Sequence, residues 1–218
     1  MKFLLTGGAF AVTDTTVEAM PDPSRPAPAE VTALLERARR HDPVAFRELF
    51  RGHVRGVHRV VRRIAGARTD TEDLVQTTFV EAFRSLRSFR GDAMFSTWLA
   101  RIAVRVSLRA TRWRGRAPLP MDEVSEPASD GMDPERIAAA RETLAAVETL
   151  LAGLRPKRRA AFVLHVLEGY SMDEVAAMLN ASTGAVKVRV HDARRQIERG
   201  LADPSGPGAR LLNMGGRP

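Results

Sequence analysis

The fold is best predicted from residues 69–116, TDTEDLVQTTFVEAFRSLRSFRGDAMFSTWLARIAVRVSLRATRWRGR, in which two helical patterns meet at a short polar turn around residues 90–92. The first helix is expected to begin at Thr69, because Glu72 follows it at the capping-box spacing. Its apolar residues recur at the spacing of one buried helical face: Val75, Phe79, Ala82, Phe83 and Leu86. Asp73, Gln76 and Thr77 are then left on the outer face.

The second half of this stretch, from Phe95 to about Trp113, predicts a helix with two different faces. Arginines spaced by four, four, three and four residues share one narrow sector and form an arginine stripe: Arg101, Arg105, Arg109, Arg112 and Arg116. The apolar residues Leu99, Ile102, Val106 and Trp113 occupy another sector. Because no acidic residue occurs between Asp92 and Asp122, we expect an unneutralised stripe that binds a polyanion. A basic helix face that is merely solvated remains the alternative.

Composition limits the possible functions. The 218 residues allow one large or two small domains, and 34 Lys+Arg against 26 Asp+Glu give a formal charge of +8. Arginine supplies most of the positive charge, which suits contacts with phosphates and base edges. Cysteine is absent and the five histidines lack metal-ligand spacing, so no metal site and no cofactor is expected. No apolar run approaches the roughly 18 residues of a membrane span, so no membrane insertion is expected.

Helical periods elsewhere predict an all-α chain of two small domains. Residues 1–28 are rich in proline near their end and are expected to be a disordered leader. A first helical domain is predicted over 29–116, with a long amphipathic helix that starts at Asp42-Pro43 and stops near Gly66. Residues 117–133 are acidic and rich in Pro, Ser and Gly, which indicates a flexible linker. A second helical domain is predicted over 134–201, followed by a flexible tail over 202–218.

The second domain contains the most specific pattern. Ser171 and Glu174 form a capping box, and the inward residues of the helix that follows end before a three-residue turn, 180–182. The next helix repeats Val186, Val190, Ala193 and Ile197 on its inner face. Two short amphipathic helices with such a turn are typical of a helix-turn-helix, whose second helix enters the major groove. The residues expected to face DNA are Thr183, Gly184, Lys187, Val188, Arg189, His191, Arg194 and Arg195.

Two separate motifs occur along the chain in the order that is found in one protein family. The chain resembles the extracytoplasmic-function (ECF) sigma factors of bacterial RNA polymerase in both motifs. The first is DLVQTTFVEAF followed by FRGDAMFSTWLARIA, and the second is LRPKRRAAFVLHVLEGYSMDEVAAMLNASTGAVKVRVHDAR. The resemblance covers roughly residues 42–201. It implies a promoter-specificity subunit that binds core RNA polymerase, recognises promoter DNA, opens the downstream element and enables transcription initiation.

The resemblance also implies roles for individual residues. The helix with Asp73, Leu74, Gln76 and Thr77 would dock on the polymerase. The downstream (minus-ten) element would be bound by Arg90, Asp92, Phe95, Ser96, Arg101, Arg105, Arg109 and Arg112, although Arg105 and Arg109 differ from the residues common in the family. The helix-turn-helix would bind the upstream (minus-thirty-five) element, and the linker would thread toward the RNA path of the polymerase. Trp98 is expected to pack in the core rather than to stack on DNA.

Further expectations concern partners, location and chemistry. The resemblance implies an anti-sigma factor as a regulatory partner, and we expect a cytoplasmic protein with no small-molecule substrate. An enzyme is not expected, because the sequence contains no nucleophile–base pair, phosphate loop or metal cluster. Two alternatives remain open from the residues alone. One is a helix-turn-helix regulator without polymerase docking, and the other is an adaptor whose basic faces bind an acidic protein or a membrane.

Overall fold

A computed structural model describes residues 28–66, 69–114, 145–203 and 205–206 of the chain. Helices joined by turns and loops make up these described residues and no strand occurs among them, which confirms the all-α prediction. Residues 1–27 of the leader predicted over 1–28, the predicted linker and most of the predicted tail lie outside them, whereas Pro28 begins a helix. We call residues 28–114 the first unit and residues 145–203 the second unit; the predicted domain boundaries remain predictions.

Two helices open the first unit, α1 (Pro28–Arg39) and α2 (Pro43–Ala65). Asp42 caps α2 as predicted, because its carboxylate accepts hydrogen bonds from the backbone N–H groups of Val44, at 2.8 Å, and Ala45, at 3.4 Å. Pro43 occupies the first helical position, where its missing N–H costs nothing. Helix α2 ends at Gly66, whose φ of 88° few other residues adopt.

The central hairpin consists of α3 (Thr71–Arg84), a short 3-10 turn (Leu86–Ser88) and α4 (Phe95–Arg114). The prediction that Thr69 caps α3 is wrong. Asp70 is the capping residue, and its carboxylate accepts from the backbone N–H of Asp73 at 3.0 Å. Thr69 is buried and donates to the carbonyl of Ala65 at 3.2 Å, so it joins α3 to the end of α2 instead.

The core of the first unit forms where α2 packs against α1, α3 and α4. Leu49, Val61 and Ile64 of α2 and Val106 of α4 are at most 1% exposed. Each such side chain contributes about 1.5–3 kcal/mol by leaving water. The predicted apolar faces of α3 and α4 therefore lie where the periodicity placed them, and the outer faces stay available for binding.

The second unit is described from residue 145 onward. Its helices are α5 (145–152), α6 (Pro156–Phe162), α7 (Met172–Leu179) and α8 (Thr183–Ala202). Helix α6 continues directly into a π-helical turn, Val163–Leu167, which the apolar period did not predict. Val163 and Leu164 are fully buried in this turn, so the widened helix still contributes to the core. Helix α8 packs against both α6 and α7.

The two units are packed together in this structure. Helix α2 contacts α6 and the π-helical turn, and α4 contacts α6 and α7, so that one apolar core runs through both units. Ion pairs lie beside this contact. The side chain of Glu168, only 6% exposed, accepts hydrogen bonds from Arg59 at 3.0 Å and from Arg63 at 2.6 Å. Arg62 donates to Glu148 at 2.7 Å.

Arg159 of α6 adds a buried contact between the units. Its guanidinium donates to the carbonyl of Ile64 at 3.3 Å, to that of Ala152 at 2.8 Å and to that of Leu154 at 3.3 Å. Burial lowers the pKa of this guanidinium from its ordinary value, but an arginine remains protonated. The side chain therefore joins the end of α2 to the turn between α5 and α6.

Candidate nucleic-acid interfaces

The arginine stripe lies on the solvent side of α4. Arg101, Arg105, Arg109 and Arg112 are exposed, while Leu99, Ile102 and Val106 on the opposite side are buried. Arg116 and the side chain of Trp113 lie outside the described residues. The amphipathic pattern therefore arranges the described part of the stripe as the sequence predicted.

The expectation that no acidic residue neutralises the stripe is wrong. Glu81 of α3 accepts a hydrogen bond from Arg105 at 2.9 Å and another from Arg109 at 2.6 Å. Burial of this carboxyl raises its pKa, but the two arginines outweigh burial and the net pKa lies below the ordinary glutamate value. Glu81 is therefore ionised at neutral pH. Linear spacing along α4 could not reveal it, because it belongs to another helix.

The turn before α4 combines exposed charges with an aromatic cluster beneath them. Arg90 and Asp92 are exposed on either side of Gly91, whose φ is 87°. Phe95, assigned to the DNA interface by the resemblance, is only 4% exposed, and its ring stacks on Trp98 with centroids 5.6 Å apart. Phe95 is thus a packing residue in this structure, as Trp98 is. Ser96, the next assigned residue, is half-buried.

The residues assigned to docking lie at the start of α3. Asp73 and Gln76 are exposed, Thr77 is half-buried, and Leu74 is only 9% exposed and belongs to the core. A groove of about 320 Å³ runs between α3 and α4, and its lining includes Asp73, Leu74, Thr77 and Arg109. Three of the four docking residues and one arginine of the stripe, Arg109, therefore border the same groove.

The helix-turn-helix has the predicted local geometry. The Ser171 hydroxyl accepts from the N–H of Glu174 at 3.2 Å, and the Glu174 carboxylate accepts from the N–H of Ser171 at 2.9 Å. Asn180 takes the left-handed conformation that ends α7, with a φ of 46°. Ser182 then caps α8 by accepting from Ala185 at 3.2 Å. These caps therefore define where α7 begins and ends and where α8 begins.

Most of the predicted DNA-facing side chains of α8 are open to solvent. Gly184, Lys187, Val188, His191 and Arg195 are exposed, and Val188 is 60% exposed although it is apolar. Thr183, Arg189 and Arg194 are half-buried. The Thr183 hydroxyl donates to Asp173 of α7 at 2.8 Å, so it fixes the start of α8 rather than projecting from it.

The described residues form neither a metal site nor a membrane span. Among the residues that the structure describes, no group of three or more His, Cys, Asp or Glu side chains is placed to hold a metal ion. Nor is any described helix both long and apolar enough to cross a membrane.

Comparisons with known proteins assign the two surfaces to one family. Residues 49–117 match the family model Sigma-70 region 2, which covers the docking residues and the stripe, and residues 144–197 match Sigma-70, region 4, which covers the helix-turn-helix. The ECF RNA polymerase sigma factor SigM of Mycobacterium tuberculosis is 36% identical over 72% of this chain and 78% of its own length. The chain belongs to the ECF family of RNA polymerase sigma factors.

Further comparisons agree with this membership. The sigma factor is 38% identical to the ECF RNA polymerase sigma factor SigE of Mycolicibacterium smegmatis, over 72% of this chain and 62% of that relative, so it spans less than two thirds of SigE. A solved structure of CnrH in complex with the cytosolic domain of CnrY has a TM-score of 0.57 and 28% identity, and the match covers 85% of this chain and 98% of CnrH. The regulator and adaptor alternatives are therefore not favoured.

Proposed function

We propose that this sigma factor binds core RNA polymerase through the start of α3, holds the opened minus-ten strand on α4, and reads the minus-thirty-five element with α8. The observation that carries the proposal is the shared groove, in which Asp73 of α3 and Arg109 of α4 line one surface. A docking residue and a strand-binding residue on one groove would let polymerase binding and strand capture occur side by side.

Each surface suits its proposed task for a physical reason. The exposed arginines of α4 can follow the phosphates of a single strand, whereas a helix such as α8 fits the major groove of a duplex. Lys187 and Arg195 can reach guanine edges or phosphates from α8. For DNA contact we favour Arg90, Asp92 and the stripe, with Phe95 supporting the turn from within the aromatic cluster.

Reading both promoter elements requires the two units to separate. The elements are centred about 25 base pairs apart by their names, which is about 85 Å at 3.4 Å per base pair. In the packed arrangement α8 contacts α7, and α7 contacts α4. Only α7 lies between the two DNA-binding helices in this chain of contacts, so their axes are about 20 Å apart and the packed form cannot span both elements. The linker predicted from the sequence at 117–133 would permit the separation.

Membership of the family supports the remaining proposed roles. The sigma factor supplies binding and strand opening, while the polymerase performs the bond chemistry, so the chain is not itself an enzyme. Its place is the cytoplasm, where polymerase and promoter DNA are found. An anti-sigma factor is its expected regulatory partner. Stabilising the packed arrangement would be an effective way for such a partner to inhibit it.

Reconstitution with core bacterial RNA polymerase on a promoter library tests the proposal. We expect the purified chain to co-elute with core enzyme and to support initiation from a defined set of promoters. Asp73→Ala should weaken core binding, whereas Glu48→Ala, at an exposed acidic position on α2, should leave it unchanged. Absence of both co-elution and initiation with the wild-type chain would refute the proposed function. Equal core affinities of the two variants would refute the docking role of Asp73 alone.

A further inference from the structure

The four described members of the arginine stripe are not equivalent. Arg105 and Arg109 both donate to Glu81, with one arginine on each carboxylate oxygen. Arg101 and Arg112 make no ion pair within the part of the chain that the structure describes. The stripe therefore consists of a central pair held by one carboxylate and two flanking arginines without such an anchor.

Glu81 orients Arg105 and Arg109 but leaves most of their N–H donors available. A guanidinium has five N–H donors in a rigid fork, and Glu81 accepts from a single nitrogen, Nη2, of each arginine. The side chains of Arg105 and Arg109 remain 61% and 51% exposed, whereas that of Glu81 is 24% exposed. The carboxylate is thus the more buried partner, and the other donors of both guanidinium groups make no further hydrogen bond within the described part of the chain.

The charge of Glu81 affects every anion that approaches this pair. Two cations share one anion, so a phosphate must compete with a carboxylate that is already hydrogen-bonded to both. Backbone binding without regard to sequence comes mainly from such phosphate contacts, each of which makes affinity depend on salt. Glu81 should therefore weaken binding to DNA strands of arbitrary sequence. It should also fix the distance between the Arg105 and Arg109 guanidinium groups, so that they fit the backbone of the promoter strand.

We propose that Glu81 is a positioning residue of the strand-binding surface, which holds Arg105 and Arg109 as one unit and restrains them from binding phosphates of arbitrary sequence. The inference rests on the proposed function of α4. It differs from that function by making promoter selectivity depend on a carboxylate of α3, a helix otherwise assigned to polymerase docking.

The test uses holoenzyme assembled from the full chain and core polymerase. Binding is measured at several salt concentrations on a promoter that the wild-type holoenzyme selects, and on the same DNA with its downstream element scrambled. Glu81→Gln keeps the shape and removes the charge. Glu48→Gln removes an equal charge from the exposed side of α2 and serves as the matched control.

We expect Glu81→Gln to bind the scrambled DNA about two- to fivefold more tightly, the factor typical of an exposed ion pair. Discrimination between the two DNAs should fall by a similar factor. The slope of log affinity against log salt should steepen by about 0.7 for each phosphate gained. Glu48→Gln should change none of these, and Glu81→Gln should have no further effect in an Arg105→Ala, Arg109→Ala background.

Two results would overturn the inference. One is a Glu81→Gln holoenzyme that matches Glu48→Gln in discrimination and salt slope. The other is an unchanged effect of Glu81→Gln after both arginines have been removed, which would place its action elsewhere. Either result can occur while the wild-type holoenzyme still initiates from its promoters, so failure of this inference is distinguishable from failure of the proposed function.

Discussion

Removing the charge of Glu168 should loosen the contact between the two units. This carboxylate, at the end of the π-helical turn, is nearly buried and accepts hydrogen bonds from both Arg59 and Arg63 of α2. Glu168→Gln keeps its volume and leaves the two arginines without a counter-charge. Loss of a fully buried ion pair costs about 3–5 kcal/mol. Because Arg59 and Arg63 are 49% and 33% exposed and can rehydrate, we reduce this figure to about 1–2 kcal/mol.

A loss of this size should increase the population of separated units by about 5–30-fold. The chain contains no cysteine, so a cysteine at Glu48 and another at Glu198 provide two unique positions for a fluorescent donor and acceptor. Both positions are exposed, one on α2 and one on α8. Single-molecule energy transfer should then show a larger low-transfer population in Glu168→Gln than in the otherwise unchanged labelled chain.

Glu36→Gln is the matched control for this experiment. Glu36 is also an acid paired with an arginine, but its partner Arg39 belongs to the same helix, α1. If Glu168→Gln and Glu36→Gln gave the same transfer distribution and the same urea-unfolding midpoint, the ion pairs beside the interface would contribute nothing measurable. Burial of the Glu168 ion pairs would then not stabilise the packed arrangement.

Further expectations concern single positions. Gly66→Ala should destabilise the chain by about 1–3 kcal/mol in urea unfolding, because φ is 88° and a Cβ would lie 3.0 Å from Nη1 of Arg159. Gly56→Ala, in the middle of α2 with open space around it, should instead stabilise by about 0.5–1 kcal/mol in the same assay; destabilisation there would contradict the helical geometry. Arg195→Ala should weaken binding to the upstream element while core binding stays normal, and parallel loss of both would indicate a structural role. Because the pKa of Glu81 is lowered on folding, its contribution to stability should be present at neutral pH and lost as the pH falls through its folded-state pKa. The melting temperatures of wild type and Glu81→Gln should therefore converge as the pH is lowered. A difference in melting temperature that grew in acid would contradict this pH dependence.

Local sequence patterns predicted the elements well where the deciding interactions are local. Asp42-Pro43 and the Ser171–Glu174 box each act within four residues, and both lie where they were predicted. The start of α3 shows the limit of such patterns. Thr69 and Asp70 are adjacent and both can cap a helix, and the choice depends on the carbonyl of Ala65, which binds the Thr69 hydroxyl.

Features that depend on contacts between helices were not predictable in this way. Glu81 neutralises arginines that lie 24 and 28 residues further along the chain, so no spacing rule connects them. Phe95 was assigned to DNA by resemblance, yet its ring is enclosed by His53, Phe89 and Trp98. The packing of the two units likewise depends on pairs such as Arg62 and Glu148, which are 86 residues apart.

Arg159 has a consequence for the electrostatics of the helix ends. The last carbonyls of a helix carry about half a negative charge, and α2 and α5 both end beside this one guanidinium. Arg159 is only 8% exposed, so its guanidinium balances both negative helix ends away from bulk water. A single buried positive charge therefore acts as a shared counter-ion. When the units separate, the end of α2 must find its stabilisation in water, because Arg159 remains with the second unit.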